Sequence, residues 1–285
     1  MNADPVFEQH RPRLFSLAYR LLGARAEAED VVQDAWLRWH GSDRGQILDP
    51  EAWLVTATTR LGLDRLRAAR TARRHYVGPW LPEPLEISDA PGPDQHREQA
   101  EQVSLALLAV LERLGPEERA AFLLKEVFDY DYARIGELLG HSEANCRQLV
   151  HRARARVRAE RPRFEVSRAR HRELLARFME ASQSGDAAAI TALLDSHARL
   201  VSDGGGKVTA TLRPLRGAER IARLYWAVAR RGLGLQARLG TVNGEPAILR
   251  HHPDGRLHSA TLAVIDGDRI VELLTLMNPD KLPPM

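Results

Sequence analysis

The chain has 285 residues, of which 44% are hydrophobic and 28% charged, and its formal net charge is +3. This composition excludes wholesale disorder, and the length predicts two or three domains. No apolar run approaches the roughly 18 residues that span a bilayer, and the first residues lack the apolar segment of a signal peptide, so we expect a cytoplasmic protein without a membrane partner. Cys146 is the single cysteine, which excludes an internal disulfide and a multi-cysteine metal site.

The first 76 residues have the periodicity of α-helices. Apolar Val32, Trp36 and Trp39 are spaced i, i+4 and i+7, which predicts one helix. A second helix is predicted at about 50–74, after a loop at 41–49 that is rich in turn-forming residues. The residues of this second helix that should face inward are Trp53, Ala57, Leu61 and Leu66.

A proline-rich segment follows these helices. Residues 77–95 contain five prolines, which no helix can accommodate. We therefore predict a semi-rigid, extended linker at 77–95 and no strand before residue 160.

Residues 96–162 contain the most informative local pattern. Two short helices flank Gly140, and Cys146, Val150 and Ala153 at i, i+4 and i+7 should form the buried side of the second. Two helices joined by a short glycine-containing turn form a helix-turn-helix, whose second helix can enter a major groove. Its open side carries the side chains that read base edges. The predicted DNA-binding residues are Asn145, Arg147, Gln148, His151, Arg152 and Arg154, and Arg154 together with Arg156, Arg158 and Arg161 is better placed for phosphates.

Two further charged groups lie in the first 76 residues. Four arginines share a helix with Trp53 beside the loop at 41–49, and cations next to an aromatic ring can hold unstacked bases of a single strand. A buried tryptophan with solvated arginines is the alternative interpretation. The arginines are Arg60, Arg65, Arg67 and Arg70. The second group is an acidic face. It could dock a basic partner helix or be ordinary surface charge, and it contains Glu29, Asp30, Gln33 and Asp34.

The pattern changes beyond Pro162. Helices followed by a curved antiparallel sheet are predicted, which gives an α+β domain at 167–285. The predicted helices are 167–185, 186–194 and 218–231, and the predicted strands are 198–202, 207–212, 234–243, 256–265 and 269–277.

Three sets of motifs identify a family. A resemblance to region 2 of the group 4 (extracytoplasmic-function) sigma factors covers residues 5–75, with AEAEDVVQDAWLRW and DPEAWLVTATTRLGLDRLR. The helix-turn-helix with LVHRARARV is similar to their region 4. Three further motifs, WLPEPL, DGGGK and NPDKL in that order, resemble those of the subgroup whose chain ends in a SnoaL-like (NTF2-like) cone domain.

The resemblance implies a fold and a set of roles. It implies all-α regions 2 (1–76) and 4 (96–162), followed by an α+β cone. Glu29, Asp30, Gln33 and Asp34 would dock the clamp helices of the polymerase β′ subunit, and region 4 would meet the β flap. Region 2 would melt and read the −10 element with Trp53, Arg60, Arg65, Arg67 and Arg70, and region 4 would read the −35 element. Many members have Asn where this chain has Arg60, and Arg where it has Leu149.

The three subgroup motifs predict docking between the cone and the linker. Three consecutive glycines allow close backbone approach, and a proline-stiffened strip costs little to order. We expect the cone to pack on the linker and thereby to regulate the two DNA-binding regions. The alternative is that DGGGK is a simple hairpin turn and NPDKL a frayed tail. The predicted interdomain residues are Trp80, Leu81, Pro82, Asp203, Gly204, Gly205, Gly206, Lys207, Asn278, Pro279, Asp280, Lys281 and Leu282.

Cone domains can also be enzymes, since an acidic or histidine base can lie in an apolar pocket. The candidates are Asp203, His251, His252 and His258. Asp203 lies in a glycine-rich turn and His251 in a predicted loop, so we expect no enzyme activity, no metal and no cofactor. Whether the cone binds a small ligand stays an open question.

The sequence thus predicts a sigma factor, a monomer when free, whose partners are core RNA polymerase and promoter DNA. The alternatives are a cone-fold isomerase or cyclase with a DNA-binding appendage, and a helix-turn-helix repressor that acts without polymerase.

Overall fold

The computed structural model describes residues 4–89, 103–160 and 166–282. The chain forms two compact units, of which the first comprises Met1–Arg74 and Leu108–Ala159 and the second His75–Leu107 and Glu160–Met285. The part of the predicted linker at 77–89 therefore belongs to the second unit. Residues 90–95 of that linker, 96–102 of predicted region 4 and Arg161 lie outside the described residues.

The first unit is built of helices. Asp4 and Asp49 accept backbone N–H groups at the starts of the first and third helices, and Pro5 and Pro50 occupy their first positions. The helices are α1 Pro5–Leu22, α2 Arg25–His40, α3 Pro50–Ala72, α4 Leu105–Leu111, α5 Pro116–Glu126, α6 Tyr132–Leu139 and α7 Glu143–Glu160, and the division between the two units falls within α4. The predicted all-α class of this part is confirmed.

A buried arginine ties α5 to α1 in this unit. Arg119 is 1% exposed, its Nε donates to the carbonyl oxygen of Arg20 at 2.8 Å, and its guanidinium pairs with Glu112. Burial of an arginine requires such partners, because its charge cannot be removed. On α3, Leu66 is buried as predicted, whereas Trp53 is only half-buried.

The second unit contains a seven-stranded mixed sheet in the order β1-β4-β5-β6-β7-β2-β3. All neighbouring strands pair antiparallel except β2 and β7, which are parallel. The strands are β1 Ile87–Ser88, β2 Leu194–Asp203, β3 Leu215–Arg216, β4 Gln236–Val242, β5 Glu245–His251, β6 Leu257–Asp266 and β7 Arg269–Leu276.

Three helices pack on one face of this sheet: α8 Arg168–Ser184, α9 Ala187–Leu193 and α10 Ala218–Arg230. The core between helices and sheet includes Phe178, Ile221, Ile248 and Leu273, each fully buried. This apolar layer drives the packing of the α+β fold.

Four predictions about this unit are wrong. The sheet is mixed rather than antiparallel, and residues 207–212 form no strand. Strand β5 was not predicted, because the tight turn at Asn243-Gly244 was not recognised as a hairpin. Strand β1 lies before residue 160, where no strand was expected, and its two residues among prolines are too few to show alternation.

Candidate nucleic-acid interface and linker clasp

The helix-turn-helix is formed by α6 and α7. Gly140 ends α6 with a φ of +70°, and a Cβ on Gly136 would lie 2.6 Å from the carbonyl oxygen of His141, so the turn needs glycine at both positions. Cys146, Val150 and Ala153 are buried as predicted. Leu149, at a position where the family resemblance places an arginine near DNA, is buried as well.

Five of the six predicted −35 residues line one hollow of about 440 Å³ together with Tyr132. They are Arg147, Gln148, His151, Arg152 and Arg154. Asn145, the sixth, is half-buried and does not line it. The hollow therefore offers several donors and one aromatic edge on a single exposed surface.

The arginines of α7 are held by carboxylates of the same unit. Glu118 accepts from Arg152 at 2.8 Å and from Arg156 at 2.6 Å, and Arg154 pairs with Glu126. Burial raises the pKa of Glu118, but the bonds from Arg152, from the Gly115 backbone and from Arg156 outweigh it and lower that pKa. These arginines therefore exchange one anionic partner for another when they bind phosphate.

The predicted −10 residues fall into two groups. Trp53 and Arg60 line a cleft of about 660 Å³ together with the loop at 42–49 and residues of α6. Arg60, where many family members have Asn, is exposed there. The other three bind protein groups: Arg65 pairs with Asp30 and Asp34, Arg67 with Asp64 and Glu117, and Arg70 with the Leu114 carbonyl oxygen.

The predicted polymerase-binding residues lie on one side of α2. Glu29, Asp30 and Gln33 are exposed, and Asp34 is half-buried. Asp30 and Asp34 accept from Arg65 at 2.9 and 2.8 Å, so part of this acidic face is neutralised by α3.

A fully buried carboxylate, Asp203 at the end of β2, binds the linker and the tail. Its oxygens accept from the Tyr76 hydroxyl at 2.5 Å, from the Leu81 N–H at 2.8 Å and from the Lys281 ammonium at 2.7 Å. We call the group of Tyr76, Trp80, Leu81, Asp203, Asn278 and Lys281 the linker clasp.

Lys281 closes the clasp from the tail. Its Nζ also donates to the Leu81 carbonyl oxygen at 2.6 Å and lies 4.1 Å from the centre of the Trp80 ring. The Asn278 side chain donates to the Tyr76 hydroxyl at 2.9 Å. Burial, followed by the hydrogen bond to Asp203, raises the pKa of Tyr76 far above its usual range. The cone thus binds the linker through the Leu81 backbone and the Trp80 ring, and binds the residue just before it, Tyr76, through its hydroxyl.

The other predicted interdomain residues surround the clasp. A Cβ on Gly205 would lie 2.4 Å from the Asn278 side chain, and one on Gly206 would lie 3.1 Å from Val77. Lys207 pairs with Asp280 at 2.6 Å on the surface. Pro82 and Leu282 are buried, Pro279 is exposed, and a Cβ on Gly204 would overlap Ala210.

A second contact with the linker was missed by the sequence analysis. The Asn243 side chain accepts from the N–H groups of Leu85 and Glu86 at 2.8 and 3.2 Å and donates to the Val103 carbonyl oxygen at 3.1 Å. Asn243 has a φ of +47°, as the first central residue of the turn between β4 and β5. The Asn-Gly pair was the available signal for this residue.

Glu245, two residues further on, binds the start of α4. Its carboxylate accepts from the backbone of Leu105 and Ala106 and from the Ser104 hydroxyl. Burial, outweighing these bonds and nearby Arg168, raises the pKa of Glu245 to about 7.

The four candidate catalytic residues have different surroundings. Both oxygens of Asp203 are engaged in the clasp. His251 is buried, and burial lowers its pKa despite Asp89, 3.4 Å away. His252 and His258 contact each other at 3.2 Å.

Across the described parts of the chain, no three His, Cys, Asp or Glu residues are grouped to hold a metal ion. Within the same ranges, no helix combines the length and apolar character needed to cross a membrane.

Comparisons with known proteins agree with this architecture. Residues 6–72 match the model of sigma-70 region 2, and residues 104–157 match that of sigma-70 region 4. The ECF RNA polymerase sigma factor SigJ of Mycobacterium tuberculosis is 40% identical, over 96% of this chain and 91% of its own. A probable ECF sigma factor, SigI, of the same species is 33% identical over 99% and 96%. The crystal structure of SigJ aligns with a TM-score of 0.74 and 34% identity, over 96% of each chain. The chain therefore belongs to the extracytoplasmic-function (ECF) sigma factors, with regions 2 and 4 followed by a cone domain.

Proposed function

We propose that this sigma factor, a cytoplasmic monomer when free, is regulated in cis by its cone domain through the linker clasp. The observation that carries the proposal is the buried Asp203, which binds Tyr76 just before the linker, Leu81 within it and Lys281 in the tail. A carboxylate removed from water is costly unless all its partners stay in place. The cone is therefore expected to have two states, one with the linker bound at Asp203 and one with the linker released.

The partner surfaces belong to the same proposal. Glu29, Asp30 and Gln33 on exposed α2 would meet core RNA polymerase, where a basic partner could replace Arg65 at Asp30 and Asp34. Trp53 and Arg60 would read the −10 element. The residues that line the hollow on α7 would read the −35 element. We place regions 2 and 4 at 1–76 and 96–162, as the resemblance implies, but count the linker with the cone.

The test is multi-round transcription in vitro with core RNA polymerase and genomic promoter fragments. It compares four forms: the full chain, Asp203→Asn, a deletion of 278–282 and a chain that ends at residue 166. We expect specific transcripts only when core polymerase is present. The three clasp-deficient forms should change the amount of transcript severalfold, because each releases the linker.

The matched control is Arg256→Gln, on an exposed turn of the cone where Arg256 pairs with Asp254. It should transcribe like the full chain. Equal transcript from all forms would show that the cone has no regulatory role. Absence of any specific transcript would contradict initiation by this chain itself.

A further inference from the structure

The cone carries a local excess of positive charge that neither the clasp nor the DNA-binding regions use. Between residues 207 and 231 the sequence contains seven Lys or Arg residues and a single acidic residue, Glu219. Most of this segment is α10 and the stretch that leads into it. Such an imbalance concentrates a positive potential on one part of the surface.

Four arginines from three elements converge on one cleft of about 740 Å³. Arg216 comes from β3, Arg220 and Arg223 from α10, and Arg269 from the start of β7. All four are exposed, and Asp195 and Glu219 are the acidic residues that line the same cleft. We call these four residues the arginine cleft.

The arginines of this cleft differ from those of α7 in their pairing. On α7, Arg152, Arg154 and Arg156 each contact a carboxylate. Among the described residues, Arg216, Arg220 and Arg223 form no ion pair, and Arg269 donates only to the carbonyl oxygen of Ala192. The charge of Arg216, Arg220 and Arg223 is therefore available to an external anion without the loss of an internal ion pair.

The positive surface continues along α10 beyond the cleft. Arg220, Arg223 and Arg230 lie within one narrow sector of the helix, and Arg220 and Arg230 are about 15 Å apart along its axis at 1.5 Å per residue. The Arg230 guanidinium is held 4.8 Å from the centre of the exposed Trp226 ring. A row of this length suits an extended polyanion better than a compact one.

We propose that the arginine cleft and the face of α10 that carries Arg220, Arg223 and Arg230 bind the phosphodiester backbone of duplex DNA. Unpaired arginines match phosphate oxygens with two parallel hydrogen bonds each. Contacts of this kind carry no base preference, because they read only the backbone. The cone would thus add a DNA contact to those of regions 2 and 4.

The test uses the full chain and a 30-base-pair duplex without promoter sequence, followed by fluorescence anisotropy over a salt series. The variant is Arg220→Gln/Arg223→Gln. The control with the same charge change is Arg177→Gln/Arg256→Gln, which alters two exposed arginines outside the cleft. We expect the slope of log affinity against log salt to fall by about 1.8 in the cleft variant, since each phosphate contact contributes about 0.9. The control should change it by less than half as much.

Three outcomes would overturn the proposal. Equal losses in both double variants would indicate a general charge effect. Unchanged DNA binding, with thermal stabilisation by inorganic phosphate that only the cleft variant loses, would indicate a site for a small anion. Unchanged DNA binding with weaker binding to core polymerase would indicate an acidic protein partner. The DNA-binding measurements do not depend on transcription. Failure of this proposal can therefore be distinguished from failure of the proposed regulation by the cone.

Discussion

Asp203 is a fully buried carboxylate whose charge is balanced by one cation, Lys281, itself largely buried. The same segments also form an exposed pair of the same residue types, Lys207 and Asp280. The two pairs differ in the solvent around them, and this difference decides how much each contributes. The chain thus offers its own internal comparison of a buried and an exposed ion pair.

We expect Asp203→Asn to lower the free energy of unfolding of the full chain by about 3 kcal/mol, because Lys281 is left buried without a counter-charge. Lys207→Ala should cost no more than about 0.5 kcal/mol, since water screens that pair. Urea denaturation followed by circular dichroism gives both values. If Lys281→Met restores none of the loss in the Asp203→Asn background, the buried pair does not account for it.

Glu245 makes stability depend on pH. Its pKa is raised from 4.5 to about 7, so the folded state prefers the protonated carboxyl. The associated stability is complete below pH 4.5 and is lost as the pH rises towards 7 and above. Between pH 5 and pH 8 we expect the free energy of unfolding to fall by up to about 3 kcal/mol more in the wild type than in Glu245→Gln. Parallel pH profiles for the two proteins would contradict this role of Glu245.

Among the structural elements, the loop after β2 shows why three consecutive glycines are required. Gly205 and Gly206 have φ values of +59° and +73°, and Gly205 also lies against Asn278. Gly232 has a similar φ of +60° but open space around its α-carbon. An alanine at Gly205 or at Gly232 would therefore have a strained backbone, and at Gly205 its Cβ would also clash with Asn278.

We expect Gly232→Ala to cost about 1 kcal/mol of stability, for backbone strain alone. Gly205→Ala should cost at least about 2 kcal/mol more, because its Cβ must displace the Asn278 side chain from Tyr76. Thermal unfolding of the two variants measures the difference. Equal losses would mean that the loop can move away from Asn278 without cost.

The recognition helix α7 gives a prediction about promoter DNA. Gln148→Ala should alter the preferred −35 sequence, with a loss of about 1–3 kcal/mol on the cognate site if the contact is bidentate. Arg156→Ala should weaken binding to all sequences evenly and reduce the salt dependence. Band shifts on cognate and scrambled −35 duplexes separate these effects. An even loss for Gln148→Ala would remove it from base recognition.

The elements that the sequence predicts well are those with long periodic patterns. The helices of regions 2 and 4 and the three helices of the cone follow from apolar spacing, and Gly140 and Gly185 mark helix ends correctly. Asp203 and Lys281 were predicted to meet the linker, but the roles of Asn243 and Tyr76 could not be predicted, because the sheet and not local spacing brings these residues to their partners. That Asp203 is a buried anchor and not part of a turn likewise depends on residues far along the chain.

At the scale of the whole molecule, each compact unit is made from two separate stretches of sequence. The first unit requires residues on both sides of the linker, and the second requires the linker itself. The second compact unit therefore begins at His75, not after region 4. A transplant of the cone to another sigma factor would have to carry residues 75–89 with it.

The interlaced order also has a consequence for synthesis on the ribosome. The linker segment that ends at Asp89 leaves the ribosome long before Asp203, Asn243 and Lys281, which hold it. At typical rates of about 5–20 residues per second, the interval between Asp89 and Lys281 is roughly 10–40 s. Residues 1–74 of the first unit are made before that interval, and its last residue, Ala159, is made in the first half of it. Each new molecule therefore passes through a period in which the helices of its first unit exist and its cone domain is not yet complete.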